Sequence, residues 1–147
     1  MINAWANLPN AKHIDRIFAD VQKNPDKWAD AMNSARDAAR VDERYAAWDA
    51  ARVDERAAIR KVLWYAARNT VWYATVNVST RDAASDISFG AISALTAWDD
   101  CAYLLDEKPE DVLILALLGN QAAILIYPAC VALQSNQNSC TLTNSIV

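Results

Sequence analysis

Glycine and proline are both scarce, at Gly 2 and Pro 4 in 147 residues. Antiparallel β folds turn often and draw on both residues, so the shortage argues against them. Histidine occurs once, as His13. That leaves Ser/His and Cys/His catalytic pairs a single place to form, and nothing in the surrounding sequence marks His13 as a base. Beside Ile14 in a short amphipathic stretch, it reads as an ordinary surface or edge residue. The three cysteines, Cys101, Cys130 and Cys140, are odd in number and form no CxxC. Neither a disulfide framework nor a zinc site is supported, and a reducing cytoplasm is the expected compartment. GxSxG, P-loop, GxGxxG and HExxH motifs are absent. The opening MINAWANLPNAKHID lacks a charged region followed by an apolar run, so no secretory leader is expected.

What is present points to helices. Hydrophobic residues make up 54% of the chain, much of it alanine, and charged residues 22%, which is a globular composition. Alanine with Arg, Asp and Glu, and little glycine, favours helix. The length suits one domain with a sizeable core. The expected fold is all-α: a single compact bundle of five or six helices over residues 1–133, with a central apolar helix near 110–118 and a flexible polar tail at 134–147. The net charge of −4 is uneven, at +3 over residues 1–81 and −7 over 82–147. Such halves can pack on each other, or an exposed acidic face can meet a basic partner.

Along the chain, Asn10 is placed to cap a helix over about 11–22, with Ile14, Ile17, Phe18 and Val21 on one side. Asn24-Pro25 breaks that helix, and Pro25 suits the first turn of the next. Residues 26–89 contain no Gly and no Pro and read as one or more long helices. Trp28, Met32 and Ala35 trace an apolar side, and Arg36, Arg40 and Arg44 form a basic ridge. AARVDER occurs twice, at 38–44 and 50–56. Twelve residues rotate the copies by about 120° on one helix, so they share a face only if the helix breaks between them, near Trp48. A slippage duplication explains the repeat equally well. Residues 70–80 are rich in β-branched and aromatic types, but the flanking helical spacing favours helix over strand. A helix over about 81–105 is predicted from Ile87, Ala91, Leu95, Trp98, Ala102 and Leu105, with Gly90 admitting a close neighbour. Residues 106–109 stop it. Pro109, Glu110 and Asp111 open an almost wholly apolar helix, which Gly119 ends, and Asn120 caps a last helix with a kink at Pro128. The apolar stretch 112–133 is interrupted by Gly119, Asn120 and Gln121, so a buried hairpin is favoured over a membrane span.

Two constellations carry candidate chemistry. The acids Asp99, Asp100, Asp106, Glu107, Glu110 and Asp111 can bind a cation, share a proton or meet a basic partner, although acids belong at helix starts in any case. Asp99, Asp100 and Tyr103 have no evident structural duty and are the candidates in this stretch. Arg52, Arg56, Arg60, Trp64, Arg68 and Trp72 are each four apart. Guanidinium over indole gives cation–π contact, and the same pairing holds a nucleotide base and its phosphate. Arginine stems covering half-buried tryptophans explain the ladder as well. Arg60, Trp64, Arg68 and Trp72 are the candidates here. Cys101 has only Lys108 as a nearby cation in sequence, so no activated thiol is indicated.

The segment AWDDCAYLLDEKPEDVLILALLGNQAAILIYPACVAL, preceded by YAAWDAARVDERAAIRKVLWYAAR, resembles a group of small phage- and prophage-encoded proteins. These share an AWDxxAW-type helical region and a DDCAYLLD…GNxAAxLLxPA-like end, and the likeness covers about residues 38–133. It implies a context and no residue roles: a small cytoplasmic phage accessory protein of the kind that binds and blocks a host component. The leading expectation is therefore a non-enzymatic inhibitor of a host protein with a basic surface, with anti-defence action as one form. The alternative is a binder that sequesters a nucleotide-like signal through the Arg/Trp surface. No cofactor, metal, membrane or direct nucleic-acid contact is expected, and self-association is left open.

Overall fold

A computed structural model describes the backbone of residues 5–38, 41–52 and 56–146, and the side chains of residues 5–35, 44–52 and 56–135. Among the described residues there are seven α-helices and no strand, so the fold is all-α as expected, with more helices than the predicted five or six. They are α1 Ala11–Lys23, α2 Pro25–Ala38, α3 Val41–Ala50, α4 Ala57–Ala74, α5 Val78–Ala97, α6 Pro109–Leu117 and α7 Gln121–Ile146, with a 3₁₀ turn at Ala102–Leu105. The extra helices come from the stretch without Gly or Pro, which divides into α2, α3, α4 and the start of α5. The α4–α5 break needs neither residue: Thr75 is extended, and the Asn77 side chain accepts from the Thr80 N–H at 3.1 Å to start α5.

The centre of the bundle is α5 with α7. Every residue from 90 to 96 in α5 is buried, as is every residue from 123 to 130 in α7. A helix buried on all sides is a central one. Seven of the ten buried positions of α5 are small or slender (Ala84, Ser88, Gly90, Ala91, Ser93, Ala94 and Thr96), which lets α2, α4 and α7 pack closely around it. α3 comes close at Gly90: a Cβ there would lie 2.8 Å from the Arg44 guanidinium and 3.5 Å from Trp48 Nε1, so the end of the Arg44 side chain would have to shift. Pro128 sits inside α7 without ending it.

The expected central helix is displaced. α6 is a nine-residue surface helix that packs on α7 and buries only Val112 and Ala116, while Ile114, Leu117 and Leu118 are 56%, 53% and 78% exposed. An apolar run states what a helix is made of and not which side is covered. Its ends follow local rules. Pro109 opens it, and Gly119 at φ 92° closes it with bonds from Gly119 N–H to Ala116 O and from Asn120 N–H to Leu115 O, both 3.0 Å. The Asn120 side chain then accepts from Ala123 N–H at 2.9 Å and starts α7.

The helix predicted over 81–105 stops at Ala97. Further α-helix would need the N–H groups of residues 99 and 100 at the carbonyls of Leu95 and Thr96. Side chains hold those carbonyls instead. Asn10 Nδ2 donates to Leu95 O at 2.9 Å and to Trp98 O at 3.1 Å, and Arg56 donates to Thr96 O. Asn10 thus sits where a cap was expected but makes no side-chain cap bond, tying the start of α1 to the end of α5. Cys101 Sγ adds contacts to Ala94 O at 3.4 Å and Trp98 O at 3.2 Å.

At the α1–α2 corner, Asp20 accepts from the indole N–H of fully buried Trp28 at 2.7 Å and pairs with Lys27 at 2.9 Å. Gln134 donates to the carbonyls of Leu105 and Glu107, anchoring α7 to the connector before α6. The remainder of the expected tail has its backbone within α7, and its side chains from 136 onward lie outside the described residues. The Arg36 side chain and Arg40 of the expected basic ridge also lie outside them, as do parts of both AARVDER copies. The last arginine of each copy is described, and both reach α5: Arg44 donates to Asp86 O at 3.2 Å and Arg56 to Thr96 O. No helix among the described residues is long and apolar enough to cross a membrane.

Truncation on the two apolar helices separates the centre from the surface. Ile126→Ala in α7 is expected to lower unfolding stability by about 2–5 kcal/mol, and Leu117→Ala in α6 to change it by less than about 0.5 kcal/mol. Urea denaturation of the two variants checks the contrast, and equal losses would contradict it.

Candidate functional site

α4 buries one narrow stripe, Leu63, Ala67 and Val71, spaced by four. The rest of its circumference faces outward and carries Lys61, Val62, Trp64, Tyr65, Arg68, Trp72 and Tyr73 as exposed residues. The helix contains three cations and no acid. The expected Arg/Trp ladder therefore falls partly on one helix, but it does not run unbroken. α4 begins at Ala57, so Arg52 and Arg56 precede it.

The ladder divides into separate contacts. The Arg68 guanidinium lies over the Trp64 ring, 5.3 Å from its centroid. Trp72 takes its cation from α5, where Arg81 lies 3.7 Å from the ring centroid and also donates to Thr75 O at 2.9 Å. Arg60 and Trp64 line a cleft of about 560 Å³ with Trp48, Asp49, Arg52, Ala57, Lys61, Tyr65, Phe89 and Ser93. Phe89 meets Trp48 at 6.0 Å and Trp64 at 6.5 Å between ring centroids, both edge-on. The structure thus brings Arg60 and Trp64 together at one cleft and leaves Arg68 and Trp72 outside its lining.

Trp48, Lys61, Tyr65 and Phe89 are site residues that the sequence did not single out. Trp48 and Phe89 look like core residues in sequence, and they become cleft walls only because α3 and α5 meet beside α4. Lys61 and Tyr65 carried a usable signal, since they stand four apart and so neighbour each other on the helix surface.

The acidic candidates do not act together. Asp99 is bonded by Arg56 at 2.9 and 3.3 Å, and the guanidinium holds its carboxyl below the usual carboxylate range. It therefore has a structural duty at the end of α5. Asp100 and Tyr103 turn to a shallow cleft of about 360 Å³ that also includes Trp98, Asn120 and Gln121. Asp106 pairs with Arg16 at 2.8 Å, with both side chains largely exposed. No group of three or more His, Cys, Asp or Glu side chains suited to a metal ion occurs among the described residues.

Both described cysteines are buried, and burial pushes each thiol up to about 12, with nearby carboxylates adding to the effect. A thiolate at neutral pH is therefore disfavoured at both positions. Burial, with a contribution from Lys12, lowers the pKa of His13. In comparisons with known proteins, the chain matches no family model, no curated protein and no solved structure.

Two outcomes follow from these environments. In a Cys140→Ser background, Cys101 and Cys130 are expected to react with a disulfide reagent only after denaturation. Fast reaction of either thiol in the native protein would contradict their burial. For Asp99, a depressed folded pKa means that its contribution is present above the unfolded value, near 4, and is lost as pH falls through the lower folded value. Because Asp99 is half exposed, Asp99→Asn should cost less than about 1 kcal/mol at pH 6. The variant and the wild type should converge on acidification, as read from urea midpoints against pH.

Proposed function

We propose that the protein is a non-enzymatic, phage-type accessory protein that binds and blocks a host protein, and that the outer face of α4 with the turn after it is the contact surface. Anti-defence inhibition is one form this action takes. The observation that carries the reading is the concentration of exposed large apolar side chains there. Trp64, Tyr65, Trp72, Tyr73, Val76 and Val78 all lie on α4, the following turn or the start of α5, with Tyr73 85% and Val76 97% exposed. Large apolar side chains left exposed in such number on one short stretch favour an interaction site. Tryptophan, tyrosine and arginine are also the residue types that dominate binding energy at protein interfaces.

The charge of this face indicates the partner. α4 carries Arg60, Lys61 and Arg68 with no acid, so the complementary surface is acidic. That differs from the basic partner suggested by the Asp99–Asp100 stretch, where Asp99 is engaged by Arg56.

The test is capture from host lysate on immobilised protein. Tyr73→Ala with Val76→Ser removes two side chains that are almost fully in solvent, so the fold should change by less than about 0.5 kcal/mol. The wild type should retain one dominant acidic-surfaced protein. The double variant should lose it at least tenfold, and Asp100→Lys should leave capture unchanged. Absence of any specific prey, or full capture by the double variant, would count against the reading.

A further inference from the structure

We propose that the cleft between α3, the first turns of α4 and α5 binds a small anion carrying a planar ring, with a nucleoside monophosphate as the simplest member of that class. This goes beyond the partner surface, which shares Arg60, Lys61, Trp64 and Tyr65 with the cleft but extends past it through Trp72 and Tyr73 to Val76 and Val78. At about 560 Å³ the cleft is of the size that holds a small organic ligand.

Its walls suit a ring. Trp48, Trp64, Tyr65 and Phe89 all line it. Arg44 lies over the Trp48 ring at 5.8 Å and Arg68 over the Trp64 ring at 5.3 Å, yet neither arginine lines the cleft. Each indole thus has a guanidinium over its ring and also lines the cleft. Aromatic side chains in this arrangement stack on any nucleobase, because every base has a π-face.

Its rim suits an anion. Arg52, Arg60 and Lys61 line the cleft, and Asp49 is the one acid among the described lining residues. Asp49 stands 3.9 Å from Arg52, with both side chains largely in solvent, so that pair is weak. Arg60 and Lys61 have no carboxylate partner among the described residues. Ala57, the first residue of the 18-residue helix α4, also lines the cleft. The first turn of α4 holds no acid, and Arg56 provides no side-chain cap bond there. The positive end of the helix dipole therefore adds to the two unpaired cations at one end of an aromatic slot. A ring between the indoles with a phosphate toward Ala57, Arg60 and Lys61 uses both features at once.

The experiment titrates the full chain with AMP, GMP, CMP and UMP, following tryptophan emission and heat. Adenosine and inorganic phosphate serve as the ring-only and charge-only arms. At least one nucleotide should bind once per chain and quench tryptophan emission, and each half-ligand should bind at least tenfold more weakly. Binding should weaken with added salt. Arg60→Ala with Lys61→Ala should raise Kd at least tenfold, equivalent to about 1.4 kcal/mol, with the circular dichroism spectrum unchanged. Tyr73→Ala with Val76→Ser should bind as the wild type does, which separates this site from the partner surface. No binding by any of the four nucleotides at millimolar concentration would overturn the proposal. So would phosphate binding as tightly as AMP, or an unchanged Kd in the Arg60/Lys61 variant. A single-stranded oligonucleotide binding a hundredfold more tightly than its mononucleotide would overturn the assignment to a small ligand.

Discussion

The last carbonyls of α5 are bonded by side chains drawn from distant parts of the chain, and the rest of the fold depends on how that end is closed. A helix leaves its final four carbonyls without internal partners. Here Asn10 takes Leu95 O and Arg56 takes Thr96 O, while the Cys101 thiol adds to Ala94 O, which the Trp98 N–H already bonds. Each bond contributes on the order of 1 kcal/mol net, and an abandoned buried carbonyl costs about 1–3 kcal/mol. The arginine also places positive charge at the negative end of the helix and holds Asp99. One cluster therefore ends α5, fixes the start of α1 and positions the segment leading into α4. It also sends the chain into the 3₁₀ turn before α6.

With α5 closed in this way, α7 completes the centre and the other helices pack around the pair. α4 touches the core through a stripe of three residues, so its remaining surface must face elsewhere. That surface holds four aromatic rings and three cations. Burying it would have been the ordinary outcome for so much apolar area, and leaving it in solvent loses roughly 1.5–3 kcal/mol for each large side chain not buried. A binding role explains that arrangement directly. The two functional assignments share the first turns of the helix and part company beyond Tyr65. Its first turns face a cleft shared with α3 and α5, and its later turns, with the following connection, face solvent.

Local chemistry was legible in the sequence. Pro25 and Pro109 open helices, Asn120 caps one, and Gly119 closes α6, because each acts through its own backbone or through neighbours within a few residues. Long-range choices were not. The run from 112 to 118 is apolar on every side, and only tertiary packing decides that Val112 and Ala116 face inward while Ile114 and Leu117 do not. The pairing of Asp99 with Arg56 spans 43 residues, so Asp99 looked unengaged. At the candidate site, Arg60 and Trp64 were visible from their spacing. Trp48 and Phe89 were not, since they become cleft walls only when three helices meet.

Native-state hydrogen exchange, read peptide by peptide, tests the central claim that α5 and α7 form the core and α6 lies on its surface. Residues 90–96 and 123–130 should exchange last, near the rate of global unfolding, with 112–118 exchanging well before them. Protection in 112–118 equal to or greater than that in α5 and α7 would contradict the account.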